Sequence, residues 1–319
     1  MFGIKDLKPK ITLTQATVEC PVKGCCRKVE RQRRSFQREK QFLCPDHEIY
    51  ISPSTFEYEN EKDNLLWHHK ADLDLLDDVK KIKRESRIAR DNSEDALTWN
   101  IFRYLENSHQ LTDLLSHIVQ EHCRYEELIY WSYSSQVRGA WPELDRARET
   151  FGENPARGSE PDLIVVTDKA LFFIEAKLTA TNNTMPSRQN AYQYYLTGSN
   201  EWHKRVFRSD FVTIAVQAKK YELFRFWLIG TWLAKKMKRD FYLINLVLSE
   251  REQDIEEQFL PYLIIGKQRQ FKRLSWESIY GYIVGNAPDS LEKEMLVTYF
   301  QNKTIGYKSG TLQEAFSIS

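Results

Sequence analysis

Two apolar segments separated by a short polar turn constrain the fold of this chain more than any other feature. Residues 162–167 (DLIVVT) and residues 171–177 (LFFIEAK) are rich in the branched and aromatic side chains that strands favour. Between them, Asp168-Lys169 is a turn sequence. The pattern predicts a buried β-hairpin.

The second predicted strand ends in charged residues, where a purely structural strand would continue with valine or leucine. Because side chains alternate along a strand, Glu175 and Lys177 project from the face that Phe173 occupies. Burying both charges is costly unless they serve each other or a metal ion. Asp162, at the mouth of the neighbouring strand, can reach the same place.

The segments around this hairpin predict a mixed sheet covered by helices, because helix, strand, strand, strand, helices and strand follow one another. The linking stretch through Arg138 and Arg157 is predicted to be a long polar loop. The predicted helices are 111–122, one beginning near 187, 217–238, 275–284 and 290–302, and the other predicted strands are 126–133 and 241–248.

A predicted helix upstream of the sheet carries a carboxylate in its apolar stripe. Apolar residues recur at helical spacing at Leu97, Ile101 and Leu105. Glu94 precedes the first of them by three residues, so it lies in line with the stripe and not on the solvated side.

This arrangement resembles the PD-(D/E)XK nuclease superfamily. The motif here is Pro161-Asp162, twelve intervening residues, then Glu175-Ala176-Lys177, with Glu94 in the position of the upstream helical glutamate that many members have. The resemblance covers residues 92–248. It implies an α/β fold with a restriction-endonuclease-like core: a helix, three strands, helices and a fourth strand, in a mixed sheet flanked by helices.

The resemblance also implies a catalytic set formed by Glu94, Asp162, Glu175 and Lys177. Asp162 and Glu175 would bind Mg²⁺ or Mn²⁺, with Glu94 completing the site, since carboxylate oxygens suit these ions. Lys177 would orient the attacking water and neutralise charge on the phosphorus. The expected reaction is hydrolysis of a phosphodiester bond in nucleic acid, with DNA as the expected substrate.

The helix after the motif offers two further contacts, because Arg188 and Gln189 can reach the substrate backbone. Some exonuclease-like branches carry Gln-x-x-x-Tyr in this helix. Here Gln189 is followed four residues later by Gln193 instead of a tyrosine. Assignment to that branch is therefore left open.

Four of the five cysteines fall in one short N-terminal segment, which points to a metal site more than to disulfides. Cys20-Pro21-x-x-Gly24-Cys25 and Cys44-Pro45-x-His47 have the form of two zinc knuckles with an 18-residue linker between them. Cys25 and Cys26 compete for one ligand position. Gly24 favours Cys25, because glycine permits the tight knuckle turn. The predicted structural zinc ligands are Cys20, Cys25, Cys44 and His47.

The linker between the knuckles is strongly basic, with seven basic and two acidic residues between positions 27 and 40. Arg31, Arg33, Arg34 and Arg38 are expected to contact phosphates of nucleic acid. A solvated surface is the plainer interpretation of such a charge run. The interleaved residues Phe36 and Phe42 either stack on a base or form the core of this module.

Composition changes along the chain predict three parts. Residues 1–56 form a zinc-ribbon or finger-like module, 57–91 a charged helical connector and 92–319 the nuclease-like domain. With 41% hydrophobic and 29% charged residues and a mean hydropathy of -0.58, the chain is expected to be globular. Neither a signal peptide nor a membrane-spanning run appears in the sequence, so a cytoplasmic location without a membrane partner is expected.

Three other interpretations stay open beside a catalytic nuclease. Asp162 can cap a strand while Glu175 pairs with Lys177 at a sheet edge, without any chemistry. The chain can also be a non-catalytic adaptor for nucleic acid or protein on a nuclease-like scaffold. Finally, it can be a restriction, repair or defence component that cuts as a homodimer or when a helicase or methyltransferase presents DNA. DNA or RNA, strandedness and endo or exo cleavage are not fixed by the sequence.

Overall fold

The computed structural model describes residues 1–83, 85–155, 160–187 and 193–318. Contacts divide the chain into a first unit of residues 1–73, 85–108 and 276–319, and a second unit of residues 74–84 and 109–275. The predicted boundaries at 56 and 91 do not coincide with these units. The first unit consists of three separate stretches of chain. Changes in composition along the sequence do not indicate this grouping.

The described elements are as follows, in chain order. The strands are β1 (Thr17–Glu19), β2 (Lys28–Glu30), β3 (Leu43–Cys44), β4 (Ile49–Ile51), β5 (Phe56–Tyr58), β6 (Tyr125–Tyr130), β7 (Tyr133–Ser134), β8 (Gly139–Ala140), β9 (Leu163–Thr167), β10 (Ala170–Ala176), β11 (Asp240–Val247), β12 (Arg269–Ser275), β13 (Thr304–Lys308) and β14 (Thr311–Glu314). The helices are α1 (Lys70–Ile82), α2 (Glu94–Asn107), α3 (Leu111–Val119), α4 (Pro142–Thr150), α5 (Gln193–Glu201, interrupted at Gly198 to Asn200), α6 (His203–Val206), α7 (Tyr221–Met237), α8 (Ile255–Phe259), α9 (Trp276–Asn286) and α10 (Leu291–Asn302).

A seven-stranded mixed sheet in the order β12-β11-β10-β9-β6-β7-β8 forms the centre of the second unit. The predicted hairpin is present as β9 and β10, which pair antiparallel with Phe173 opposite Ile164. On its other side β10 pairs parallel with β11, with Glu175 opposite Asn245. The expected mixed α/β sheet flanked by helices is therefore confirmed, and β10 lies inside it with a neighbour on each side.

Helix α7 covers one face of this sheet, and its apolar side chains explain why. Trp227 and Phe224 belong to one buried cluster with Phe173 of β10 and Phe241 of β11. Phe172, the neighbour of Phe173, instead stacks on Tyr242, with ring centroids 5.0 Å apart. The predicted alternation of β10 side chains is confirmed, because odd-numbered positions pack under α7.

Two elements of the second unit differ from the sequence prediction. The stretch predicted as one long polar loop contains α4, which begins at Pro142 and buries Leu144 and Ala147. Its mostly polar composition hides a narrow apolar stripe, which is sufficient for a surface helix. Strand β12, which the sequence did not suggest, extends the sheet parallel to β11. It is only half-buried and carries mixed polar and apolar residues.

The first unit joins the N-terminal module to the C-terminal hairpin. Strands β3, β4 and β5 form one sheet, and β1 pairs with β2. Val18, Ile49 and Phe56 share a buried cluster with Tyr307 of β13. The core of this module therefore consists mainly of residues other than Phe36 and Phe42. No helix within the described ranges combines the length and apolar character needed to cross a membrane.

The surroundings of one glycine in α7 and one in α9 predict opposite effects for their substitution by alanine. In Gly230→Ala the new Cβ would lie 2.2 Å from the Phe241 ring, so we expect destabilisation by about 1–3 kcal/mol. In Gly281→Ala of α9 the Cβ meets no heavy atom within 4 Å, and the loss of glycine entropy should stabilise the helix by about 0.5–1 kcal/mol. Denaturant midpoints measure both, and a stabilised Gly230→Ala variant would contradict this packing.

Candidate functional site

Charged side chains meet at the carboxyl end of β10, beneath α7. Glu175 and Lys177 form an ion pair there and are only 4% and 9% exposed. The backbone N–H of Lys177 donates to the Leu246 carbonyl oxygen of β11 at 2.7 Å, which holds the residue after the strand against the sheet. The shared face predicted from alternation brings the acidic and basic groups together.

Asp162 lies at the same end of the hairpin because of the strand register. Leu163 is opposite Ile174, so the residue before β9 meets the end of β10. Its Oδ1 accepts a hydrogen bond from Trp131 Nε1 at 3.0 Å, and its Oδ2 accepts one from the Ala176 N–H at 2.8 Å. Asp162 thus has a fixed orientation next to Glu175.

The purely structural interpretation of the hairpin accounts for part of this geometry. Asp162 does accept a backbone hydrogen bond, and Glu175 does pair with Lys177. However, β10 is not at a sheet edge, since β9 and β11 flank it. The charges are therefore buried in the interior of the sheet, where a pair with no further role is harder to explain.

One oxygen of Glu175 is left over in this arrangement. Glu175 Oε2 is buried and has no hydrogen-bond partner among the residues that the structure describes. Burial raises the pKa of Glu175 well above its usual range, Lys177 opposes this shift, and the nearby Asp162 and Glu222 carboxylates add to it. A cation bound between these carboxylates would use the free oxygen and favour the ionised form.

Glu222 is a member of this cluster that the sequence did not single out. It lies in the first turn of α7, where its N–H donates to Thr184 Oγ1 at 2.9 Å. Its Oε2 lies 4.0 Å from Lys177 Nζ. The only signal in the sequence is a carboxylate at the start of a largely apolar helix, and many surface helices share that pattern.

A buried polar network continues the site beyond Glu175. Asn245, its register partner, accepts a hydrogen bond from Asn182 Nδ2 at 2.7 Å and donates one to Glu252 Oε2 at 2.9 Å. Asn182 Oδ1 is buried and has no hydrogen-bond partner within the described part of the chain. Lys220 Nζ donates to Asn183 Oδ1 at 3.2 Å nearby. These residues come from three separate segments, so sequence spacing does not reveal them.

The fourth predicted catalytic residue belongs to the other unit. Glu94 begins α2, and the Ser93 side chain caps this helix by accepting the Ala96 N–H at 3.0 Å. Leu97 and Leu105 are buried, as the apolar stripe predicts. Glu94 is in the first unit, whereas Asp162, Glu175 and Lys177 are in the second, so its part in a metal site stays a prediction. The predicted substrate contacts Arg188 and Gln189 lie outside the described residues.

The four predicted zinc ligands do converge. The candidate ligand atoms of Cys20, Cys25, Cys44 and His47 all lie within 4.8 Å of one another. Cys25 Sγ is 3.8 Å from Cys44 Sγ, and His47 Nδ1 is 3.7 Å from Cys20 Sγ and 3.6 Å from Cys44 Sγ. Tetrahedral zinc with Zn–S bonds of about 2.3 Å places neighbouring sulfurs about 3.8 Å apart. The cluster can therefore bind a structural metal such as zinc.

Two hairpins present these ligands. Cys20 and Cys25 lie in the turn between β1 and β2, and Cys44 and His47 lie at the turn between β3 and β4. Gly24 has a φ of +79°, the left-handed conformation that the knuckle needs. Cys25 is buried within the cluster whereas Cys26 is exposed, which favours Cys25 over Cys26 as the ligand.

Lys8 stabilises the backbone around this cluster. Its Nζ donates to the carbonyl oxygens of Cys20 at 3.0 Å and Cys25 at 2.6 Å, and it pairs with Glu19 at 2.6 Å. Burial raises the pKa of the Cys20 and Cys44 thiols above their usual range. A bound zinc ion would offset that cost by favouring the thiolate forms.

The four predicted phosphate-binding arginines do not occupy one place. Arg31, Arg33 and Arg34 line a cavity of about 950 Å³ in the first unit. Arg38 is not among its lining residues; its Nε pairs with Glu57 at 2.8 Å and its guanidinium also donates to the Glu59 carbonyl oxygen at 3.1 Å. Arg38 therefore has an internal structural role, while the other three face a concave surface.

No protein-family model, no curated protein and no solved structure matches this chain. The resemblance to PD-(D/E)XK nucleases consequently depends on Asp162, Glu175 and Lys177 and on the order of the elements around them.

The geometry of the cysteine cluster predicts which cysteine substitutions remove bound zinc. Natively purified protein should hold about one zinc per chain, because four ligands complete a closed tetrahedral site. Cys44→Ser should abolish zinc binding and lower the thermal midpoint, whereas Cys26→Ser should leave both unchanged because Cys26 is exposed. Elemental analysis checks this prediction, and equal loss of zinc in both variants would contradict the ligand assignment.

Proposed function

We propose that this protein is a Mg²⁺-dependent nuclease that hydrolyses phosphodiester bonds, with a restriction-endonuclease-like core in its second unit. The observation that carries the proposal is the unused buried oxygen Oε2 of Glu175, a residue that lies near Asp162 and pairs with Lys177 through its other oxygen. A lysine and two carboxylates at one strand end match the requirements of phosphoryl-transfer chemistry. DNA is the proposed substrate.

Each residue of the cluster has a distinct role in this proposal. Asp162 and Glu175 would hold the divalent ion, and Trp131 and the Ala176 N–H fix the direction of the Asp162 carboxylate. The bound ion would supply Lewis acidity at the scissile phosphate. Lys177 would orient the attacking water and offset the negative charge that builds on the phosphate oxygens.

Glu222 is the third carboxylate that we assign to this site. It approaches Lys177 from α7 and acts on Glu175 through charge repulsion. It can complete the coordination of the ion or hold the Lys177 ammonium in place. Because Glu94 belongs to the first unit, Glu222 is the better-supported third acidic residue, with Glu94 as a further candidate.

Cleavage of nucleic acid tests the proposal directly. We expect Mg²⁺- or Mn²⁺-dependent cleavage of plasmid or single-stranded DNA, and at least about a 100-fold loss of rate in Asp162→Asn and Lys177→Ala. Lys169→Ala is the matched control, because Lys169 lies in the turn at the opposite end of the same hairpin and is half-exposed. Thermal midpoints and circular dichroism check that each variant folds.

A folded wild-type protein that cleaves nothing with either ion, alone or with a partner helicase or methyltransferase, would contradict the enzymatic proposal. Unchanged DNA binding by the two site variants would then favour the non-catalytic adaptor. Cleavage that appears only with the partner would favour the partner-activated component.

Metal binding provides a test that does not need a substrate. Binding of Mn²⁺, followed by electron paramagnetic resonance of the free ion, should weaken by about 10- to 100-fold in Glu222→Gln and should be lost in Glu175→Gln. Glu201→Gln serves as control, because this half-exposed carboxylate of the same unit pairs with Lys204. Equal Mn²⁺ affinity in all variants would exclude this cluster as the metal site.

A further inference from the structure

The cavity formed by the basic linker in the first unit is concave and strongly cationic. Its volume is about 950 Å³, and four arginines contribute to its lining: Arg31, Arg33, Arg34 and Arg90. Among its described lining residues there is no aspartate or glutamate. This volume lies within the range of about 300–1,000 Å³ that is typical of ligand-binding pockets in proteins.

Arg31 and Arg33 are held in place by contacts that leave their charge largely uncompensated. Arg31 Nη1 donates to the Thr14 carbonyl oxygen at 3.0 Å, and Arg33 Nη2 donates to the Gln15 carbonyl oxygen at 3.1 Å. A carbonyl oxygen carries only a partial charge, so it orients a guanidinium without neutralising it. The charges of Arg31 and Arg33 are thus preorganised for an anion.

Arg90 and Phe36 add an aromatic wall. The guanidinium carbon of Arg90 lies 5.3 Å from the Phe36 ring centroid, and both residues line the cavity. Arg90 Nε is 3.5 Å from Glu57, a carboxylate that Arg38 Nε contacts more closely at 2.8 Å. Glu57 is therefore shared between two arginines, and it offsets the charge of Arg90 only in part. Stacked guanidinium and phenyl groups form a platform on which bases bind.

We propose that this cavity binds a single-stranded segment of nucleic acid, with phosphates on Arg31, Arg33 and Arg34 and a base against Phe36 and Arg90. The shape of the cavity favours a single strand over a duplex. A rigid duplex presents a convex surface that cannot enter such a cavity, whereas a single strand can bend and expose its bases. The inference deepens the proposed function, on whose nucleic-acid substrate it rests, but strand binding does not require cleavage.

The test measures binding of the full chain to labelled oligonucleotides of about eight nucleotides by fluorescence anisotropy, without added divalent ions. The probes are oligo-dT, oligo-rU and a DNA duplex of the same length. We expect the single strands to bind at least about tenfold more tightly than the duplex. A difference between oligo-dT and oligo-rU identifies the preferred sugar, and equal binding assigns the site to both.

Two double variants that remove the same positive charge distinguish binding in this cavity from general electrostatic attraction. Arg33→Ala/Arg34→Ala should weaken single-strand binding by at least about tenfold and reduce the magnitude of the salt slope by about 1.4, for two phosphate contacts. Lys28→Ala/Lys40→Ala removes the same charge from residues that do not line the cavity and should change affinity by less than about threefold. Phe36→Leu should weaken binding by about fivefold or more without altering the salt slope.

Equal losses in the two double variants, or a duplex that binds as tightly as the single strands, would overturn the inference. Zinc content and thermal midpoints must match wild type in each variant, and Arg33→Lys/Arg34→Lys, which keeps the charge, should restore part of the binding. Absent strand binding with intact Mg²⁺-dependent cleavage would refute the cavity and spare the nuclease. Strand binding without cleavage would refute the nuclease and support the cavity as a binding site.

Discussion

The pairing of β10 with a neighbour on each side is the constraint on which the second unit depends. Antiparallel contact with β9 and parallel contact with β11 satisfy the backbone of β10 and bury its side chains on both faces. Glu175 and Lys177 consequently end in the interior of the protein. Their burial is tolerable because each neutralises the other, yet this ion pair uses only one oxygen of Glu175.

Parallel pairing also explains why polar groups accumulate at this end of the sheet. The carboxyl ends of β10 and β11 meet at the same edge, so the segments that follow them lie close together. Asn182, which follows β10, and Glu252, which follows β11, therefore meet at Asn245. Asp162 reaches the same edge because β9 runs in the opposite direction and begins there. Topology, more than any motif, gathers these groups.

This dependence on topology separates what the sequence predicts from what it does not. Alternation along one strand is local, so the shared face of Glu175 and Lys177 follows from sequence, as does the choice of Cys25 beside Gly24. Glu222 and the Asn182, Asn245 and Glu252 network arise from strand order and helix placement, which local patterns do not encode. The division of the chain into units depends on long-range packing in the same way, because the hairpin of β13 and β14 completes a core begun by the N-terminal module.

The cysteine cluster and the arginine cavity of the first unit are physically linked. Cys25 and Cys44 bracket the basic linker, so a metal ion bound there would fix both of its ends. Gln32, buried between the arginines, adds an internal anchor by donating to the Ile51 carbonyl oxygen at 3.2 Å and accepting the Gln37 N–H at 2.7 Å. Fixing the linker before a ligand arrives reduces the conformational entropy that binding must overcome. A metal ion bound by the cysteine cluster would thus stabilise the module and would also preorganise the charges that face the cavity.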